Sequence, residues 1–345
     1  MIWLTWRQFR GSAALVLGAL TAAAVALAVT GPQLADLLDV SGQSFFDQMQ
    51  TDKVKNAVFV VATALAYGVP AIVGAFWGAP MVAREIEAGT HRLVWNQSIT
   101  RTRWLASKLG VASACAALAG SIGLALTWWS GPIDEAIGLG FADDDLLGTP
   151  RLWPELFGSR GVVPIAMAVL ALAIGVTAGL LIRRTVAAMA VTFVAVAAVQ
   201  ILMPTVVQSR LAAPETFTVT ISSENIQGLW MSGEPGSADP KVEGIEVGVD
   251  KPGAWVTVNR TVDAQGDPME FLPAYAQDCV DAPGSDPAVV EACFARLADE
   301  GYRQQIAYHP ASQFWELQWR EAGVLLALAA GLTGFCFWRI RRDLS

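Results

Sequence analysis

Residues 81–108 read MVAREIEAGTHRLVWNQSITRTRWLASK, and the placement of this run decides the fold. It lies between two long apolar segments and carries five basic residues (Arg84, Arg92, Arg101, Arg103, Lys108) against two acids (Glu85, Glu87). A charged side chain at the bilayer centre costs roughly 2.5–3.5 kcal/mol on insertion scales. The run therefore sits outside the membrane, on the face where basic residues collect, the cytoplasm. Its residues are not those of a slack linker. Glu85, Glu87 and Ala88 favour helix, Gly89-Thr90 marks a stop, and Ser98 or Thr100 is suited to cap the helix that follows. A structured, charged hairpin between two spans reads as a docking surface. The alternative is an ordinary basic loop that obeys the cytoplasmic bias of Lys and Arg.

The whole chain agrees with a membrane setting. It has 345 residues, of which 54% are hydrophobic and 16% charged, and a mean hydropathy of +0.44, too apolar for an ordinary soluble domain. Several runs reach the roughly 20 apolar residues that cross a hydrocarbon core. The net charge of -8 hides a segregation by side, and no face gathers enough Lys and Arg to bind nucleic acid. Many of the thirteen Trp fall at span ends (Trp77, Trp104, Trp128, Trp129, Trp319, Trp338), where amphipathic rings settle at headgroups.

Working outward, residues 1–11 read as an interfacial helix leading into span one, about 12–30. A secretory signal peptide is the rival, but the apolar run exceeds the usual signal core. An external segment with Asp36, Asp39, Asp47 and Asp52 follows. Span two, about 56–79, holds Gly74-x-x-x-Gly78, and span three runs about 105–129. An acidic loop comes next, with Asp134, Glu135 and the triplet Asp143–Asp145, read as solvated. Span four, about 161–182, holds Gly175-x-x-x-Gly179. Small residues at this spacing let helices approach closely, although they also arise by chance in Gly/Ala-rich spans. Arg183-Arg184 makes a basic turn before span five, about 186–206.

Residues 207–318 change character. TFTVTIS (216–222) and AWVTVN (254–259) alternate like strands, and a helix starts at Asp286 with a stripe of Val290, Cys293, Phe294 and Leu297. Residues 319–345 return to the membrane as span six and end on Arg339, Arg341 and Arg342. The expected fold is an α-helical polytopic membrane protein with six transmembrane helices, both termini cytoplasmic, and a small external α/β domain between spans five and six. Cys279 and Cys293 fall in that domain, where oxidation is permitted. They form either a disulfide or two free buried thiols. His91 and His309 fall on opposite faces of the membrane, which argues against a metal site, and no nucleophile–base set or phosphate-cradling loop is present.

The 81–108 run resembles the permease subunits of ABC-type exporters of the type-2 class, whose ATPase is a separate chain. Their loop after span two reads Arg-Glu-x-x-x-Gly-Thr, an apolar pair, a polar turn, then Arg-x-x-[Trp/Tyr]-x-x-x-Lys. Here these are Arg84-Glu85, Gly89-Thr90, Leu93-Val94, Gln97–Thr100, Arg101, Trp104 and Lys108. Gln97-Ser98 stands where many relatives place a proline. The tail, with Tyr308, Pro310, Phe314-Trp315, Gln318 and Phe337-Trp338-Arg339, looks like actinobacterial permeases of this kind.

The resemblance implies a permease homodimer in lipid of the plasma membrane, served by two cytoplasmic ATPase chains that bind ATP and Mg. This chain would bind no cofactor itself and have no catalytic site. The hairpin 81–104 would couple them. Arg84, Glu85, Glu87 and Arg92 would make charged contacts, Leu93, Val94 and Trp95 apolar ones, and Arg101, Arg103 and Trp104 would fix span three at the interface. Tyr67, Phe76, Gln200 and Met203 would line a central route, unless they serve helix packing. The cargo would be an amphiphile: a drug, peptide antibiotic or lipid. A membrane sensor or scaffold reading external signals through 207–318 is the competing function.

Overall fold

The computed structural model describes residues 2–89, 100–141, 146–232, 241–269, 271–279 and 287–343. The chain forms two compact units, one of Met1–Ala212 with Ser312–Ser345 and one of Ala213–Ala311.

Among the described residues, six helices of the first unit are long and apolar enough to cross a membrane. Helix α1 runs unbroken from Ile2 to Ser41, with Pro32 inside it. Its 40 residues span about 60 Å at 1.5 Å per residue, roughly twice a hydrocarbon core. The segment expected as an external loop is thus largely helical: α1 continues, and α2 (Phe45–Thr51) follows. Leu34, Leu38, Phe45, Phe46 and Met49 explain why, since they are buried in one cluster with Phe59, Trp129 and Ile133. Asp52 then caps α3, accepting from Val54 N and Lys55 N.

Helix α3 is continuous over Lys53–Glu87, so the first limb of the charged hairpin is the end of span two itself. It widens to a π-helical turn at Val73–Gly78. Helix α4 covers Arg101–Trp129, and Thr100 caps it by accepting from Arg103 N at 3.3 Å. Helix α5 (Gly131–Gly138) buries Ile133, Ala136 and Ile137. Asp134, expected in a loop, is therefore in the first turn of a helix. Its carboxylate receives Arg160 Nη1 at 2.7 Å, with Arg151 Nη1 3.7 Å away, and the Arg160 side chain is fully buried. Helix α6 is one turn, Pro154–Phe157.

Helix α7 (Val163–Ile182) is the centre of this unit. It has no charged residue, and 72% of its apolar window is buried, against 22–44% for the other spans. A helix apolar all round belongs inside. Its two glycines meet the two on α3 backbone to backbone. A Cβ on Gly74 would lie 2.7 Å from Ala171 O, on Gly78 2.7 Å from Leu172 O, and on Gly179 2.6 Å from Ala79 O. The two small-residue motifs are thus halves of one helix contact, the close approach that glycine allows. Helix α8, Thr185–Arg210, follows a tight turn in which Arg183 adopts a left-handed φ of 58°. Helix α10 (Phe314–Asp343) closes the unit. Not all of the span-end tryptophans face a headgroup layer. Trp77, Trp104 and Trp129 are buried while Trp128, Trp319 and Trp338 are exposed, because the first three fill gaps between helices.

In the second unit, β1 (Glu215–Thr220), β5 (Arg303–His309) and β4 (Trp255–Val262) form an antiparallel sheet in the order β1-β5-β4, and β2 (Ile226–Ser232) pairs with β3 (Lys241–Val247). Side-chain amides join the two sheets: Gln304 Nε2 donates to Ile245 O at 2.6 Å and Asn259 Nδ2 to Val247 O at 2.8 Å. Helix α9 (Pro287–Asp299) packs Cys293, Phe294 and Leu297 onto Ile221, Ile245 and Val247. Cys279 and Cys293 are disulfide-bonded, with Cα atoms 5.3 Å apart and a sequence separation of 14. Replacing both with serine is expected to lower the stability of this unit by about 3 kcal/mol, the loop-closure entropy returned to its unfolded chain. Limited proteolysis within 213–311, compared with and without reductant, measures this; equal cleavage rates would refute it.

Candidate functional site

Two groups of polar residues stand out, at opposite ends of the helices of the first unit. The first is the base of the charged hairpin. Lys108 Nζ lies 2.5 Å from Glu85 Oε1 and 3.3 Å from Met81 O, and 4.8 Å from the centre of the Trp104 ring. The pair is mostly buried, with side chains 7% and 17% exposed for Lys108 and Glu85. Trp104 itself is buried among Val82, Leu105, Leu109 and Val176. Two residues on, Glu87 accepts from Thr185 N at 3.0 Å and Thr185 Oγ1 at 2.7 Å, so its carboxylate caps the N-terminus of α8. Glu85, read from sequence as an outward contact, is turned toward Lys108, whereas Glu87 stays exposed while it holds Thr185, because the end of α3 lies against both α4 and α8. Arg84 and Arg103 are exposed beside them and Arg101 is half-buried. Gly89 has a φ of 70° that ends α3. Thr90, His91, Arg92, Leu93, Val94 and Trp95 lie outside the described residues, as does the triplet Asp143–Asp145.

The second group lines a pocket between the middle of α3, the first turns of α7 and α10, and the end of α8. Tyr67, Gln200 and Met203, three of the four residues expected on a route, meet there. Gln200 Nε2 donates to Tyr67 O at 2.7 Å, and the Tyr67 hydroxyl donates to Glu155 O at 2.9 Å. Phe76 does not join them. It lies in an open groove with Trp77, Arg84, Glu85 and Lys108. The pocket also holds Gln208 and Glu321, which the sequence reading passed over because each falls at a span edge, where polar residues are ordinary. Gln208 is fully buried and Glu321 is 3% exposed. Next to the pocket, Gln318 Oε1 accepts from Val162 N at 2.9 Å and Val163 N at 3.0 Å, and its Nε2 donates to Phe157 O at 3.0 Å. One amide from α10 thereby satisfies two of the orphan donors at the start of α7. Among the described residues no three His, Cys, Asp or Glu are grouped to hold a metal ion.

A family model described as "ABC-2 membrane transporter related" matches residues 17–208. No curated protein and no solved structure matches the chain. Membrane subunits of this family work in general with ATPase partners and are not themselves catalytic. The matched segment runs from within α1 to the end of the pocket-lining part of α8 and takes in the whole charged hairpin. With more than half its length under that match and six helices fit to span a bilayer, the chain is a multi-pass membrane protein that belongs to the ABC-2 membrane transporter related family.

Proposed function

We infer that the chain is the transmembrane subunit of an ATP-driven exporter in the plasma membrane. Two copies pair, and two cytoplasmic ATPase chains, carrying the ATP and Mg, dock on the hairpin 81–104. Both termini face the cytoplasm. The short connections at one end of the helices carry Arg84, Arg101, Arg103, Arg183 and Arg184, and α10 ends there with Arg339, Arg341 and Arg342, the cytoplasmic signature. The disulfide suits the opposite, oxidising side for the second unit.

The observation that carries this reading is the double tie at the hairpin's base. Glu85 links the end of α3 to α4, and Glu87 links it to α8. A push on the hairpin from an ATPase that closes on ATP is thereby passed to three spans at once, two of which line the pocket. ATP binding would shift α3 and α8 and open a path for an amphiphilic cargo, a drug, peptide antibiotic or lipid. Arg84 and Arg103, exposed and outside the two internal ties, supply the charged contacts to the ATPase. Reversing both to glutamate is expected to lower permease-stimulated ATP hydrolysis about tenfold, equivalent to 1.4 kcal/mol, with membrane insertion unchanged. ATPase activity of the reconstituted complex measures this, and undiminished stimulation would remove the hairpin from the docking role.

A further inference from the structure

Glu321 lies seven residues into a membrane-spanning helix, is almost wholly buried, and faces the pocket of α3, α7, α8 and α10. Its Oε2 has no hydrogen-bond partner among the described residues, and neither does Oε1 of the fully buried Gln208 in the same pocket. Both atoms are acceptors. The donors around them are committed elsewhere: Tyr67 Oη to Glu155 O, Gln200 Nε2 to Tyr67 O and Gln208 Nε2 to Leu152 O. Arg160 has its Nη1 engaged by Asp134 and its Nε and Nη2 without a hydrogen-bond partner among the described residues, but it is not part of the lining. Burying a carboxylate without a partner is costly, and an ionisable side chain inside a membrane protein usually marks a ligand or ion path. The pocket therefore holds acceptors and lacks donors.

We propose that this pocket binds the ammonium group of a primary amine, which donates N–H bonds to Glu321 Oε2 and Gln208 Oε1. A primary ammonium carries the one positive charge the carboxylate calls for, and three donors. A divalent metal fits poorly, since calcium takes six to eight oxygen ligands and the lining offers a single carboxylate. The centre of a water-sized sphere has about 30 Å³ in which to move inside the pocket, room for a small head group such as a primary ammonium. Pro70, Met167, Met203 and Leu325 complete the wall, an apolar surround for the carbons next to the nitrogen. The cargo class that follows is the amphiphilic primary amine, and this last step alone rests on the exporter reading.

The test uses the full-length permease in lipid nanodiscs without an ATPase, titrated calorimetrically with methylammonium. Saturable binding is expected, weakened at least tenfold by Glu321→Gln and also weakened by Gln208→Leu, with no binding of tetramethylammonium, which has charge but no N–H. Infrared difference spectra should show a carboxyl band that responds to methylammonium in the wild type and is missing in the Glu321→Gln protein. The Gln variant keeps the side-chain shape, and its melting curve confirms that it is folded. No saturable binding, equal affinity in Glu321→Gln, or equal binding of tetramethylammonium or sodium would each overturn the site. Binding as expected, with no amine transport once the ATPase is added, would leave the site standing and count against export.

Discussion

Gly175→Val is expected to abolish the folded permease, leaving no monodisperse protein after extraction from the membrane. The position where its Cβ would stand is occupied by backbone of α3: Gly74 O, Ala79 N at 2.7 Å and Gly78 C at 3.0 Å. A clash with a flexible side chain is relieved by a rotamer change, but here two helix backbones must separate. Overpacking a core typically costs about 1–3 kcal/mol and occasionally more. The α3–α7 contact belongs at the upper end, because α7 is the helix that the others surround. Gly175→Ala should already lower the melting temperature. Gly68→Ala supplies the contrast, since a Cβ there meets nothing within 4 Å and alanine is the better helix former. Equal melting of Gly175→Ala and Gly68→Ala would show that the glycine pair does not set the helix separation.

Lys108→Met is expected to destabilise the protein by about 3–5 kcal/mol, the cost of removing one partner of a buried ion pair and leaving the other charged. The double variant Glu85→Gln/Lys108→Met should recover much of that loss, because no charge is then stranded. A double variant that costs less than the two single variants together identifies the pair, where two independent sites would simply add. The same single variant should blunt ATPase stimulation, because α4 is no longer tied to the end of α3. Thermal unfolding in nanodiscs and stimulated hydrolysis read the two effects separately. Additive losses below about 1 kcal/mol each would mean that the pair behaves as an exposed one.

The six helices long enough to span a membrane were legible because they rest on strong, one-dimensional signals, length and hydropathy. The strands at 216–222 and 254–259 and the stripe of α9 were legible for the same reason, as clean alternation or helical spacing. What sequence concealed was pairing. Glu85 and Lys108 are 23 residues apart and Glu87 and Thr185 are 98 apart, and nothing local says that the first pair is buried or that Glu87 reaches the start of α8. Strand β5 escaped because Gln304, fully buried, breaks its apolar alternation with an amide whose partners lie on other strands. The length of α1 escaped because its acids look like loop, while Leu34, Leu38 and Phe45 find their neighbours only in the packed bundle. Glu321 and Gln208 were hidden by their places at span ends. There a polar residue attracts no notice until the structure turns it away from water.

The three bonds made by the Gln318 amide carry a consequence for biosynthesis. Translation delivers α7 well before residue 318, so the amide protons of Val162 and Val163 wait without an acceptor while the nascent chain inserts. The middle of the bundle is completed only when its last helix arrives. A chain released early would keep those bare amides, which makes it a natural substrate for the proteases that clear unfinished membrane proteins.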